Sequence, residues 1–167
     1  FQVGQEVSLQ ELARQLGISK NTVESYLDLL SKVFVIYKVP GFSRNLRKEI
    51  TKSNRWYFYD NGIRNGIIAN FSRLEARTDV GALWENYLAS ERIKYQSYTQ
   101  KSVSNYFWRT YDQQELDWLE EENGILRGYE FKWNENRKAK IPGAFSKAYS
   151  EASFEVVSKA NYLDFIM

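Results

Sequence analysis

The sequence has no cysteine and no histidine, and only two prolines and one methionine among its 167 residues. Without cysteine there is neither a disulfide framework nor a thiolate metal site. Without histidine there is no Ser-His-Asp triad, no Cys-His pair, no zinc-protease motif and no imidazole general base. Any catalysis must rest on carboxylates, lysine, arginine, tyrosine, serine or a metal held by oxygen ligands. No apolar run approaches the roughly 20 residues that span a bilayer, so no membrane partner is expected. The first residues, Phe1-Gln2-Val3-Gly4-Gln5-Glu6, lack the basic start and apolar stretch of a signal peptide. A reducing, cytoplasmic setting is the expectation. The first residue is Phe rather than Met, and the chain reads as a fragment with more protein upstream.

Aromatic residues, at 16%, and apolar residues, at 43%, are plentiful enough to build real cores. The net charge of +2 is unevenly spread: residues 1–70 carry 10 Lys and Arg against 6 Asp and Glu, whereas residues 71–167 carry 13 against 15. The positive excess includes Arg44, Arg47, Lys48, Lys52 and Arg55. Clustering of this kind matters more to a polyanionic partner than the total does.

Ser8-Leu9-Gln10-Glu11 reads as a capping box, and Leu9, Leu12, Ala13 and Leu16 follow at helical spacing. Gly17 suits a helix end, and Ser19 can cap a second helix whose inward face would be Val23, Tyr26, Leu27 and Leu30. Two helices joined by a short Gly-containing turn make a helix-turn-helix. A β-branched run from Val33 to Val39, stopped by Pro40-Gly41, and a second run from Arg55 to Tyr59 would form a wing, with the basic stretch between them. The functional expectation is DNA binding, with Lys20, Asn21 and Ser25 near base edges and Arg44, Arg47, Lys48, Lys52 and Arg55 on phosphates. A packing or protein-contact role is the alternative, because Glu24 and Asp28 on the same face oppose phosphate.

From Phe71 the pattern changes. A helix from Asp79 to Ala89 places Leu83, Tyr87, Leu88 and Ile93 inward and carries Glu85. Strands follow at Ser104–Arg109, Glu115–Glu120 and Ile125–Trp133, the last two joined by the hairpin signal Asn123-Gly124. A helix at Ala144–Glu151 and a strand at Phe154–Ser158 complete an α/β (α+β) domain with a mixed sheet. Trp118 and Trp133 are expected to be core rings first, with a role as exposed interface anchors as the alternative.

The pattern that carries chemistry is Asp117 followed by Glu130-Phe131-Lys132. Strand alternation puts Glu130 and Lys132 on one face, and Asp117 on the neighbouring strand can lie beside Glu130. Adjacent carboxylates repel unless a proton or a divalent cation sits between them. Mg²⁺ suits such a pair, with Asp117 and Glu130 as ligands, Glu85 as a further ligand and Lys132 near the attacking water or scissile phosphate. This Asp…Glu-x-Lys arrangement is the signature of restriction-endonuclease-like, or PD-(D/E)xK, nucleases. The alternative is a solvated strand face with a weak Glu130–Lys132 ion pair.

The whole chain resembles the C-terminal region of bacterial and archaeal AAA+-type ATPases that carry a DUF4143 domain. The matching stretches are Val7–Ala13, Leu16–Val23, Trp56–Arg64, Gly81–Leu88, Tyr106–Arg109, Glu115–Leu119 and Tyr129–Lys132. In the wing, Lys52-Ser53-Asn54-Arg55 stands where that family has a Lys-x-Pro-Lys-type stretch, so the proline is lost. The resemblance implies a winged helix-turn-helix over 1–70 and a nuclease-like DUF4143 domain over 71–167. It also implies an upstream P-loop ATPase domain as partner, with ATP bound only there. This chain has no G-x-x-x-x-G-K-[ST] motif of its own. The functional expectation is a DNA-binding, nuclease-like module in which metal-dependent phosphodiester hydrolysis is possible. A non-catalytic nucleic-acid-binding, protein-interaction or sensor module that regulates the ATPase is the alternative.

Overall fold

The Ser8 hydroxyl accepts the backbone N–H of Glu11 at 3.3 Å, starting a helix at Leu9–Leu16 (α1) that stops at Gly17. Ser19 repeats the device on the N–H of Thr22 at 3.1 Å, opening Lys20–Lys32 (α2). A cap of this type stabilises a helix by about 0.5–2 kcal/mol. The computed structural model describes residues 3–44 and 53–167. Arg47, Lys48 and Lys52, expected to be phosphate contacts, lie outside the described residues.

Glu6–Val7 (β1), Ile36–Pro40 (β2) and Asn54–Phe58 (β3) form an antiparallel sheet in the order β1-β3-β2. Val33 and Phe34 belong to the end of α2 and its exit rather than to the expected strand. The expected inward face of α2 is only half right. Val23 is buried, whereas Tyr26 and Leu30 point to solvent with Leu29, Val33 and Phe34. The sheet covers the Val23–Leu27 side only, so the neighbouring apolar stripe at helical spacing is left open.

Asp60 caps Asn61–Ile67 (α3), and a 19-residue helix follows at Val80–Tyr98 (α4), longer than its sequence pattern suggests. The second sheet comprises Ser104–Arg109 (β4), Glu115–Glu122 (β5), Ile125–Phe131 (β6) and Ser153–Val157 (β7). Its order is β4-β5-β6-β7; the first three strands are antiparallel, and β7 runs parallel to β6 after the crossover through Gly143–Ala148 (α5). Asn123 and Gly124 both take positive φ, as the tight β5–β6 turn requires. A short helix, Tyr162–Ile166 (α6), ends the chain. The described architecture is thus a mixed α/β fold with two sheets.

The largest apolar cluster crosses the expected 70/71 boundary. It unites Tyr37, Val39 and Tyr57 of the first sheet with Trp84 and Leu88 of α4 and with Trp118, Tyr129 and Phe131 of the second sheet. Trp118 is fully buried, as the core reading expects, and Trp133 is half-buried against Trp84. Asn86 adds a polar tie. Its buried side chain accepts from Phe58 N at 2.7 Å and donates to Phe58 O at 3.0 Å, so α4 satisfies the end of β3 much as another strand would. The main chain joins the two sheets as well, since Phe42 N donates to Phe107 O at 2.8 Å. A second cluster, including Trp108, Leu116, Leu119 and Phe145, fills the opposite face of the second sheet.

Candidate functional site

Four elements meet at the acidic site. β5 does not alternate simply. Tyr106 pairs with Leu119 but Trp108 pairs with Leu116, so Asp117 and Trp118 both lie across from Phe107. This extra residue is a β-bulge, a device that re-aims side chains. Leu116 and Leu119 consequently go to one core and Trp118 to the other, while Asp117 turns toward Glu85 of α4 and Glu130 of β6. The sequence-expected set Glu85, Asp117, Glu130 and Lys132 is therefore brought into one neighbourhood.

The contacts show how each group is used. The Asp117 Oδ2 accepts the backbone N–H of Phe131 at 2.8 Å. Lys132 Nζ lies 2.5 Å from Glu130 Oε1. Tyr57 donates its hydroxyl to Glu85 Oε1 at 2.8 Å. Among these carboxylates sits Arg55, for which the sequence predicts a phosphate contact at the surface of the wing. It is instead 5% exposed. Its Nη2 is 2.8 Å from Glu115 Oε2, while Nη1 lies 3.6 Å from Glu85 Oε1 and 3.8 Å from Asp117 Oδ1. The guanidinium also stacks over Phe107, 4.8 Å from the ring centre. Period-2 alternation puts Arg55 and Tyr57 on one face of β3, but nothing in the sequence tells what that face meets.

One guanidinium faces three carboxylates; Glu85 and Asp117 are largely shielded from water, while Glu115 stays half exposed. Burial, reinforced by the charge of Asp117, pushes the Glu85 carboxyl up to about 8. Burial and the charge of Glu130 raise Asp117 to about 6. The same repulsion that would draw in a cation or a proton is thus present. A divalent ion does not fit the arrangement, however. Among the described residues no three acidic side chains converge on one point. Oxygens of Asp117 and Glu130 are engaged by Phe131 N–H and Lys132, and a fixed positive charge already bridges Glu85 and Asp117.

A polar cavity of about 390 Å³, lined by Gly4, Glu6, Arg55, Glu85, Glu115 and Asp117 among others, opens onto the cluster. Its rim is the segment leading into β1. Gly4 has φ +69°, and a Cβ there would lie 2.6 Å from Glu85 Oε1, so only glycine lets the backbone pass this close to the carboxylate. Glu6 fastens the segment, bonding Arg109 Nη1 and Ser53 Oγ, both at 2.6 Å. Gly4 and Glu6 belong to no recognisable motif, and Arg109 and Glu115, though within family-like stretches, carry no sequence signal of a role at this site.

Of the expected DNA face, the α2 residues stay together while Arg55 is drawn away into the acidic site. Lys20, Asn21 and Ser25 are exposed on α2, but the Ser25 hydroxyl is turned back onto Asn21 O at 2.9 Å. Asn21 and Ser25 line a groove of about 650 Å³ that also receives Glu24 and Asp28. Arg44 is half exposed and paired with Glu121 at 2.8 Å.

Residues 80–163 match DUF4143, a domain of unknown function. The chain belongs to the DUF4143 family. The DUF4143 segment runs from α4 to α6 and so contains Glu85, Asp117, Glu130 and Lys132; residues 1–75 match a second domain of unknown function, DUF8612, which contains Arg55. An uncharacterized protein of Mycobacterium bovis and one of Mycobacterium tuberculosis are each 30% identical to the chain over 131 residues. That match covers 77% of this DUF4143 chain but only 29% of each relative. No solved structure matches it. Among the described residues, no helix is long and apolar enough to cross a membrane.

Proposed function

We propose that this chain is a nucleic-acid-directed, nuclease-like module of a larger cytoplasmic polypeptide, with a winged-helix first part and a restriction-endonuclease-like second part. The observation that carries this reading is the order α4-β4-β5-β6-α5-β7, in which a bulge aims Asp117 at Glu130 and α4 supplies Glu85. The exposed Lys20 and Asn21 at the start of α2 would contact DNA, and a P-loop ATPase domain elsewhere in the polypeptide would be the partner and the ATP site. In this fold the Arg55 guanidinium stands among the carboxylates, and hydrolysis with Mg²⁺ would require that charge to be displaced.

The test is cleavage of plasmid, single-stranded and branched DNA in Mn²⁺ by the chain and by Arg55→Ala, with Asp117→Ala and Glu130→Ala as controls in each background. Cleavage in either background that disappears with both controls supports the reading. No cleavage in both backgrounds, or cleavage indifferent to the controls, overturns the hydrolytic part of it.

A second reading has its own observation. Tyr26, Leu29, Leu30 and Val33 form an exposed apolar stripe on α2, continued by Phe34. Contiguous apolar surface of this kind marks docking sites. Because the match to the relatives covers under a third of their length, the occupant we infer is another part of the same longer polypeptide.

A further inference from the structure

A cation is already built into the acidic site. We propose that the Arg55 guanidinium is the site's resident counter-ion, standing where a nuclease-like carboxylate set would hold a divalent ion and keeping that ion out. The inference rests on the restriction-endonuclease-like reading above and concerns only what fills its acidic centre.

Three observations carry it. The first is position. A single nitrogen, Nη1, lies within 4 Å of both Glu85 and Asp117, while Nη2 takes Glu115. A second cation at that point would face a fixed like charge in a poorly hydrated setting, where Coulomb repulsion is strong. The second is the manner of holding. Arg55 Nε is buried without a hydrogen-bond partner among the described residues, and two of the three carboxylates stand beyond direct hydrogen-bond distance. Arg64 and Arg109 also leave Nε unbonded, but each closes on one carboxylate, whereas Arg55 is set apart by the two further carboxylates it faces at 3.6 and 3.8 Å. The third is its mounting. Arg55 belongs to β3, where it pairs in register with Glu6 of β1 and Val39 of β2, whereas its carboxylates belong to α4 and β5. The cation thus sits on the first sheet and the anions on α4 and the second sheet, and the cavity lies where they meet. A guanidinium cannot be neutralised by an ordinary pH change, so only displacement of β3 and its Gly4–Glu6 neighbour frees the carboxylates.

The test uses Mn²⁺ alone as probe, followed by titration calorimetry on the whole chain. The forms compared are the wild type, Asp117→Asn, Arg55→Lys, Arg55→Ala, Arg55→Gln and Arg55→Ala with Asp117→Asn. The wild type and Arg55→Lys should show no Mn²⁺ binding that depends on Asp117. Arg55→Ala should bind one Mn²⁺ at least about tenfold more tightly than the wild type, as expected when a neighbouring like charge is removed. The double variant should lose that binding. Arg55→Gln, which keeps most of the stem and its packing, replaces Arg55→Ala if the latter fails to fold. Wild-type binding that vanishes in Asp117→Asn overturns the proposal on its own, whatever the variants do. A folded Arg55 variant that gains no Mn²⁺ overturns it equally. Mn²⁺ binding by Arg55→Ala without DNA cleavage leaves this inference standing and removes the hydrolytic reading instead.

Discussion

Two of the buried arginines, Arg92 and Arg55, are held in different ways. Arg92 of α4 meets Glu120 of β5 side by side, with Nε and Nη2 at 2.6 and 2.7 Å from its two oxygens. Glu120 is 1% exposed and also receives Gln96 Nε2 at 2.8 Å and Trp118 Nε1 at 3.2 Å, while Arg92 is packed against Phe165. Charge and hydrogen-bonding capacity are matched one to one. Arg55 faces three carboxylates with one charge, leaves its Nε unbonded, and sits beside a cavity. The first arrangement is complete and the second is not. A fold tolerates an incomplete buried cluster chiefly where function or a second state requires it.

Substitution should separate the two arrangements. The largest effect is expected at Arg92. Arg92→Ala leaves Glu120 charged and enclosed, a situation that costs about 3–5 kcal/mol, and urea unfolding should show a fall of that size. A loss below about 1 kcal/mol would mean that the pair is no better matched than a surface ion pair.

The next effect is on pH dependence. Glu85 and Asp117 hold protons more tightly when folded than when unfolded. The folded state therefore binds more protons above the ordinary carboxyl range, and stability falls as pH rises from about 4.5 through about 8. Glu85→Gln keeps an acceptor for Tyr57 but removes one titrating group. It should flatten the decline and raise stability at pH 8 by about 1 kcal/mol or more, since a tenfold difference in proton affinity between the folded and unfolded states is worth about 1.4 kcal/mol. Thermal melts from pH 5 to 8 decide this, and parallel slopes for wild type and variant would show that Glu85 is not the group under strain.

The smallest effect is expected on α2. Leu30→Lys and Val33→Lys change exposed positions and should alter stability by no more than about 0.5 kcal/mol. If the proposed docking holds, the same changes should weaken it, seen as faster amide exchange of α2. A stability loss of core size, about 2 kcal/mol or more, would mean that this stripe is packed in the isolated chain.

Local chemistry was legible in the sequence wherever a few neighbouring residues suffice. Ser8 and Ser19 mark helix starts through their own hydroxyls, and Asn123-Gly124 marks a hairpin because both residues tolerate positive φ. Glu130 and Lys132 share a face because strands repeat every two residues. The α2 pattern misled at Tyr26 and Leu30, since an apolar helical position states a preference for burial and not the presence of a cover. Asp117 came to the right place by a route that alternation does not describe, through the bulge opposite Phe107.

The first two helix starts, the succession of elements from α4 to β7, and the element on which Glu85, Asp117 and Glu130 each lie follow from the order of residues. What stands among those carboxylates does not; packing settled it. Arg55 lies 62 residues before Asp117, and its strand reaches β5 only because Tyr57 and Val39 share a core with Trp84 and Trp118 while Asn86 holds Phe58. Capping and alternation are set within a few residues of chain. The neutralising partner of a buried charge is set by packing across the whole fold, which no local pattern records.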